Sequence, residues 1–364
     1  MNFFQNNSWE LRIGGKFMTG KILQPSGSRA LCVLALGIGL VLNVPLLNAQ
    51  SLPKKIITGI STLTGSSAIL SVAQKAGLFE RHGLHGQVVY FSNGTIAASA
   101  LLSGDVKISL MSANSTLAAA IGGAEVVQIG GLTNKLDYGL MVLPSVTSLR
   151  ELKGSSLGIA GFGGASDFAA NYIIRKEGMT PGKDVVLVAV GGQQERLTAL
   201  ATGKLKAVLL QPPFTKRAEK MGFRRLVDFS SLDLEFQTLG YATTRSYLKA
   251  DREACLNFLK AVTEATYFFK SHKNESKTIL AAFLKTEDQD ALEETYNLNA
   301  RYLIPELPYS SVKGLQNTLD LMAYRNPKAK DKDPREVIDD SLVKTMEESG
   351  FISYLRKTYS ITAR

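Results

Sequence analysis

From Lys54 onward, short apolar runs alternate with stretches of helical spacing. Lys55–Gly59 reads as a strand. Thr64-Gly65-Ser66-Ser67 then opens a helix whose apolar face is Ile69, Val72, Ala73 and Ala76, ending near Gly77 or Gly83. Gln87–Phe91 is a second strand. Asn93-Gly94-Thr95 leads into a helix over Ile96–Leu102, which Ser103-Gly104 ends, and Ile108–Met111 is a strand of the buried type. Parallel strands need long crossovers, usually helices, so this alternation predicts parallel sheets.

The pattern repeats once. Ala100–Leu110 (ALLSGDVKISL) aligns with Ala199–Leu209 (ALATGKLKAVL), 99 residues further on, with five identities. Flanking blocks agree in order: Val88–Asn93 with Leu187–Gly192, Gly65–Ala68 with Gly163–Ser166, and Val126-Val127 with Leu226-Val227. The competing reading is the helix–Gly–strand punctuation common to any two crossovers. Four blocks in one order favour a duplication. Solenoids need three or more units, so two copies predict two lobes.

The duplication also locates a site. In open parallel sheets, ligands bind beyond the carboxyl ends of the strands. In the first copy those ends carry Thr64–Ser67, Ser92–Thr95 and Ser112–Ser115; in the second, Gly161–Ser166, Gly191–Gln193 and Gln211–Phe214. Turns that open helices present free N–H groups to anions and carbonyl oxygens. Each residue alone reads equally as a helix cap. Six such turns together predict a cleft between the lobes.

After Gly240 the pattern changes. Leu239–Thr243 is a strand, and Arg252–Lys270 is a long amphipathic helix with Phe258, Ala261, Val262, Ala265 and Phe269 on one stripe. Helical patterns follow at Ser276–Leu284, Asp288–Tyr302, Ser310–Tyr324 and Arg335–Ser349, with Lys328–Asp333 as a solvated loop.

Ahead of all this, Ala30–Pro53 carries no charge and follows Arg12, Lys16, Lys21 and Arg29; Ala49 offers a small residue at a cleavage point. A basic region, an apolar core and a small residue before the cut make a secretory signal over residues 1–49, with Met18 as an alternative start. The other reading is an uncleaved anchor, for which about 18 apolar residues is the lower limit. Cys32 precedes the apolar run, whereas a lipidated cysteine would follow it.

Composition narrows the function. The chain has 364 residues and a net charge of +10; without the leader it has 38 basic and 31 acidic residues, or +7. Basic residues do not interleave with aromatic ones, so nucleic acid is not an expected partner. Cys255 is then the lone cysteine, in a helical stretch, and reads as a small core residue. No disulfide and no cysteine zinc site can form within the chain. His82 and His85 fall in a helix-ending loop and read as surface residues, as does His272. We find no P-loop, H-E-x-x-H or G-x-S-x-G, and no His-Asp-Ser or Cys-His arrangement. The expectation is no catalytic residue, no metal and no cofactor.

The segment Lys55–Ser115, with its "AGLFERHGL" helix ending and "ALLSGDVKISL" turn, together with "QPP" at Gln211–Pro213, resembles the periplasmic solute-binding proteins of nitrate/sulfonate/taurine-type ABC importers. Thiamine-pyrimidine synthases share that domain. The likeness covers about Lys54 to Leu284. It implies an α/β two-lobed clamshell of the type II periplasmic-binding kind, each lobe a mostly parallel sheet flanked by helices. Lobe one would hold residues 50–143 and 241–364, and lobe two residues 144–240. The chain would cross near Leu143–Ser145 and Gly240–Thr243. Carried onto this chain, the ligand-contacting loops are Thr64, Gly65, Ser66, Ser67, Asn93, Ser112, Asn114, Gly163, Gly164, Ser166, Gly192, Gln211 and Pro213. Tyr241 at a hinge strand and Thr133, with Asn134, after strand Val126–Leu132 are further candidates. These loops lack Arg and Lys apart from nearby Lys135 and Arg196, which favours a neutral ligand or a small organic anion held by N–H and hydroxyl groups over an Arg–carboxylate clamp. The resemblance implies a periplasmic monomer that binds a small molecule and serves an inner-membrane ABC permease with its cytoplasmic ATPase. The alternatives are an enzyme like the pyrimidine synthases, whose cysteine-rich motif is absent here, and an orphan or sensory binding protein.

Overall fold

The computed structural model describes residues 8–13, 16–21, 53–324 and 326–361. They belong to two units, one up to Ser51 and one from Leu52 onward. In the first unit, β1 (Ser8–Ile13) pairs antiparallel with β2 (Lys16–Lys21). The apolar core of the expected leader and its cleavage point at Ala49 lie outside the described residues. Among the described residues, no helix is long and apolar enough to cross a membrane.

Among the described residues, the second unit contains ten strands. They are β3 (Lys54–Ile60), β4 (Leu84–Tyr90), β5 (Ile108–Met111), β6 (Val126–Lys135), β7 (Gly139–Val142), β8 (Ser155–Ile159), β9 (Val185–Ala189), β10 (Ala207–Leu210), β11 (Arg224–Asp228) and β12 (Glu235–Thr244). They form two five-stranded sheets, ordered β4-β3-β5-β12-β6 and β9-β8-β10-β7-β11. The two orders match strand for strand. In each sheet the first three strands run parallel and the fourth pairs antiparallel with both neighbours. The repeat visible in the sequence is therefore a repeat of topology, and the α/β two-lobed architecture is as expected.

Helices cover both faces of each sheet. In chain order they are α1 (Ile69–Lys75), α2 (Leu78–Arg81), α3 (Gly94–Ser103), α4 (Ala113–Ile121), α5 (Ala165–Lys176), α6 (Gln193–Ala201) and α7 (Phe214–Lys220). After the return to the first sheet come α8 (Arg245–Ala250), α9 (Arg252–Ser271), α10 (Lys273–Leu284), α11 (Gln289–Leu298), α12 (Val312–Met322), α13 (Ser341–Glu348) and α14 (Phe351–Thr358). With both faces covered, interior strands must be apolar throughout, and every residue of β5, β7 and β10 is buried. One core joins β3, β5 and α1 to α9, whose buried stripe includes the predicted Phe258, Ala261, Val262, Ala265 and Phe269. Another core fills the second lobe around Leu140, Leu157, Phe168 and Leu209. Cys255 is fully buried, as predicted, and burial pushes its thiol up to about 12, so it is an inert packing residue.

Four expectations change. The chain switches sheets between Lys135 and Gly139 and again between Asp228 and Glu235, earlier than the crossings placed at Leu143–Ser145 and Gly240–Thr243. The reason is that Gly139–Val142 and Glu235–Thr244, the strands beside each crossing, are themselves the antiparallel fourth strands. The single helix expected over Arg335–Ser349 is a 3-10 turn, Pro334–Val337, followed by α13; Asp333 caps the turn through Arg335 N at 2.8 Å. The loop expected at Lys328–Asp333 overlaps a 3-10 turn, Pro327–Asp331, within which Ala329 is buried. His82 is not a surface residue. Its Nε2 lies 2.6 Å from Oε2 of the buried Glu264 on α9, and Phe351 packs edge-on against its ring. Arg81 and the Tyr359 hydroxyl also donate to Glu264, so one carboxylate joins α2, α9 and the end of α14.

Candidate functional site

A cavity of about 230 Å³ lies where the carboxyl ends of the two sheets meet. Six parallel strands send their following residues into its wall. β3 contributes Ser61, Thr62 and Leu63; β4 contributes Ser92 and Asn93; β5 contributes Ser112. From the other lobe, β8 contributes Ala160–Phe162 and Gly164–Ser166, β9 contributes Gly192–Arg196, and β10 contributes Gln211 and Phe214. Tyr138 from one crossing segment and Thr238 from β12 complete it. This is the placement that strand polarity dictates.

The helices that follow aim their N-termini at the same space. Asn93 caps α3 by accepting from Thr95 N at 3.0 Å and Ile96 N at 3.1 Å. Ser112 caps α4 by accepting from Ser115 N at 3.2 Å. Gly164 and Gly192, at the starts of α5 and α6, supply no capping side chain. First-turn N–H groups there are open to a solute. Ser166 accepts from Ala160 N at 2.9 Å and holds the β8–α5 loop in shape.

Of the residues singled out as ligand contacts, Asn93, Ser112, Gly164, Ser166, Gly192 and Gln211 line the cavity, together with Ser92, Gly161, Phe162, Gln193 and Phe214 of the same strand-end turns. The others do not. Thr64 and Ser67 bond each other within one turn, Thr64 N to Ser67 Oγ at 2.9 Å. Ser66 donates to Asn299 Oδ1 at 2.5 Å, and a Cβ on Gly65 would collide with the same Asn299. That turn packs on a π-helical turn after α11, while its predecessors Ser61–Leu63 face the cavity. Asn114 and Ser115 of α4 both donate to the Gly163 carbonyl, the latter at 3.4 Å, so Asn114 and Gly163 join the lobes directly. Pro213 forms the start of α7 after a cis Pro212–Pro213 bond and is off the wall. Thr133 is buried in β6 with its hydroxyl unpartnered. Asn134 borders a different, open groove with Lys135, Arg301 and Glu306. Tyr241 points into the first-lobe core, edge-on to Phe258 with ring centres 5.4 Å apart. It lies on the α9 side of β12, which alternation along a strand hides from a reading of loops.

Further contacts hold the lobes together. Lys220 at the end of α7 reaches both carboxylate oxygens of Asp288 at 2.7 Å, and Arg225 of β11 lies 3.6 Å from Glu294 of α11. On α5, the Arg175 guanidinium stacks over Tyr324, 4.1 Å from the ring centre. Exposed ion pairs contribute little individually, so together these act as registration between lobes more than as glue.

Two charged groups were under-read from the sequence. Arg196 is in the cavity wall and only 3% exposed. Its Nε donates to Gly192 O at 3.2 Å and its Nη1 to Leu209 O, and among the described residues no carboxylate pairs with it within ion-pair distance. Burial lowers its pKa, yet an arginine stays cationic. The usable signal was spacing: Arg196 sits four residues after Gly192, on the same helical face. Asp137, in the crossing segment, is buried and accepts from Gln211 Nε2 at 2.5 Å. Gln211 Oε1 accepts in turn from Gln193 Nε2 at 3.0 Å. Burial pushes Asp137 up to about 6, against the opposing hydrogen bond from Gln211. Gln193 and Gln211 of the wall are thus oriented from the hinge.

A family model described as NMT1/THI5 like matches residues 65–276, more than half of the chain. The chain belongs to that family. Among its relatives is YtlA of Bacillus subtilis strain 168, provisionally named a binding protein. It is 26% identical over 216 residues, which span 58% of this chain and 65% of YtlA. The chain therefore spans just under two thirds of that relative's length. Similar solved structures include the periplasmic aliphatic sulphonate binding protein SsuA of Escherichia coli. Its TM-score is 0.64 at 19% identity, covering 79% of this chain and 92% of SsuA. The periplasmic nitrate-binding protein NrtA of Synechocystis PCC 6803 has a TM-score of 0.66 at 13% identity, covering 81% and 89%. These likenesses establish the shared two-lobed fold of NMT1/THI5-like and periplasmic binding proteins.

Proposed function

We propose that the chain is an extracytoplasmic solute-binding protein. It captures a small organic molecule or anion between its lobes and delivers it to an ABC permease driven by a cytoplasmic ATPase. The observation that carries this reading is the cavity itself, walled by strand-end loops from both lobes. Hydroxyls, side-chain amides, open helix N-termini and one guanidinium bind a solute without supplying a nucleophile and its base. A solute touching both lobes stabilises the closed arrangement over an open one, which is how hinge-closing proteins couple binding to shape. The apolar leader expected before Leu52 fits export, and the names of the relatives fit capture rather than catalysis.

Gly161 provides the test. It lines the cavity, and a Cβ there would meet only the Asn93 side chain at an ordinary 3.7 Å. Gly161→Leu fills the binding space without straining the backbone. A thermal-shift screen over sulfonates, nitrate, aromatic acids and pyrimidines yields stabilising solutes for the wild type. The variant is expected to lose at least about 100-fold in affinity for every one of them, with an unchanged melting temperature when empty. Equal binding by the variant would contradict the reading.

A further inference from the structure

The cavity wall is asymmetric in chemistry. Its fully buried cation is Arg196, and the groups it bonds are neutral main-chain carbonyls. A buried guanidinium without an anionic partner is costly unless something supplies the charge. The open N-terminus of α6 lies beside it, at Gly192, and adds partial positive charge on the same side. Glu195, the carboxylate in the wall, is exposed; its Oε2 comes within 2.5 Å of where a Cβ on Gly192 would stand, and its charge partly offsets that of Arg196 without an ion pair between them among the described residues, so a bound acid group would displace this side chain from the start of α6.

The opposite chemistry comes from rings. Tyr90 at the end of β4 is 45% exposed and Phe162 after β8 is 55% exposed, and both border the cavity, one from each lobe. Tyr138 and Phe214 stand in the same wall. Large exposed aromatic faces meeting across a cleft are the usual lining for an apolar solute body. At about 30 Å³ per water, 230 Å³ holds roughly eight waters, so the solute has on the order of ten heavy atoms.

We propose that the solute is a compact organic acid with a flat, aromatic or conjugated body. Arg196 and the first-turn N–H groups of α6 hold its acid group, and Tyr90 and Phe162 enclose the body. This rests on the solute-binding reading above and narrows it. It also reverses the expectation, drawn from loop composition, that favoured N–H and hydroxyl groups over an arginine clamp on the acid group.

The experiment is calorimetric titration of the full chain with benzoate and benzenesulfonate. The comparators are benzamide, which keeps the shape without the charge, and methanesulfonate, which keeps the charge without the ring. The aryl acids are expected to bind at least about 50-fold more tightly than either comparator. Arg196→Met removes that advantage over benzamide, and Tyr90→Leu weakens the aryl acids by about 5–10-fold with no change in melting temperature. Should Arg196→Met fail to fold, the wild-type comparison of benzoate with benzamide decides alone. Equal affinity for acid and amide overturns the proposal. Neutral pyrimidines or nitrate binding best, in a manner that Gly161→Leu abolishes, also overturns it while leaving the solute-binding reading intact. Binding that Gly161→Leu leaves unchanged removes both.

Discussion

Replacing Glu264 with alanine is expected to destabilise the chain by about 3 kcal/mol, because breaking a buried charge network strands its partners. At roughly 2–4 °C per kcal/mol for a large domain, the melting temperature falls by about 6–12 °C. Glu264 is 1% exposed and serves Arg81, His82 and Tyr359 at once. Burial alone would raise its pKa. Hydrogen bonds from His82 and Tyr359 and the Arg81 charge outweigh that and hold the carboxyl below its ordinary value. A carboxylate with a depressed pKa stabilises the fold fully above its unfolded pKa, and that contribution disappears as pH falls through the folded value. The stability gap between wild type and Glu264→Ala should therefore be full at pH 7 and close in strong acid. Thermal melts from pH 7 to pH 2 check both statements. A gap that does not narrow would mean packing, not charge, carries the effect.

Asp137→Asn has the opposite sign. The Asp137 carboxyl is raised to about 6 by burial, which exceeds the lowering by its hydrogen bond from Gln211. For an acid with a raised pKa, stability is complete below the unfolded value, near 3.9, and is lost as pH rises through the folded one. The cost of ionising this carboxyl in the folded chain is then about 3 kcal/mol at pH 8. Asparagine keeps the acceptor oxygen that Gln211 needs and removes the buried charge. The variant should match wild type near pH 4 and exceed it by about 3 kcal/mol at pH 8, measured by urea denaturation at both values. A loss of stability at pH 8 would show that the ionised carboxylate has a partner or role beyond the Gln211 bond.

Both residues also mark the limits of the sequence reading. The alternation of strands and helices, the 99-residue repeat and the strand-end loops were legible because each follows from local periodicity and turn chemistry. The sheet order then repeated the duplication strand for strand. The crossings were misplaced because an antiparallel strand fed from the other lobe, such as Gly139–Val142, has no local signature that distinguishes it from its parallel neighbours. Asn93, Ser112, Gly164, Ser166, Gly192 and Gln211, which line the cavity, were legible as small or polar residues directly at strand ends. Thr64–Ser67 lie off the cavity wall because the turn packs on Asn299, more than two hundred residues away. Tyr90 and Arg196 were passed over because one ends a strand and the other sits within a helix. Only the fold shows that both face one cavity. His82 and Glu264 are a long-range pair of the same kind, invisible until α2 meets α9.

A solute held between the lobes would touch loops from both. The most direct measurement is a crystal structure of the chain with the most stabilising solute from the thermal-shift screen. Density for that solute is expected in the cavity between Asn93 and Gly161–Ser166, touching residues of both sheets' carboxyl ends. Density confined to one lobe, or lodged in the open groove bordered by Asn134, Arg301 and Glu306 with the cavity empty, would contradict it.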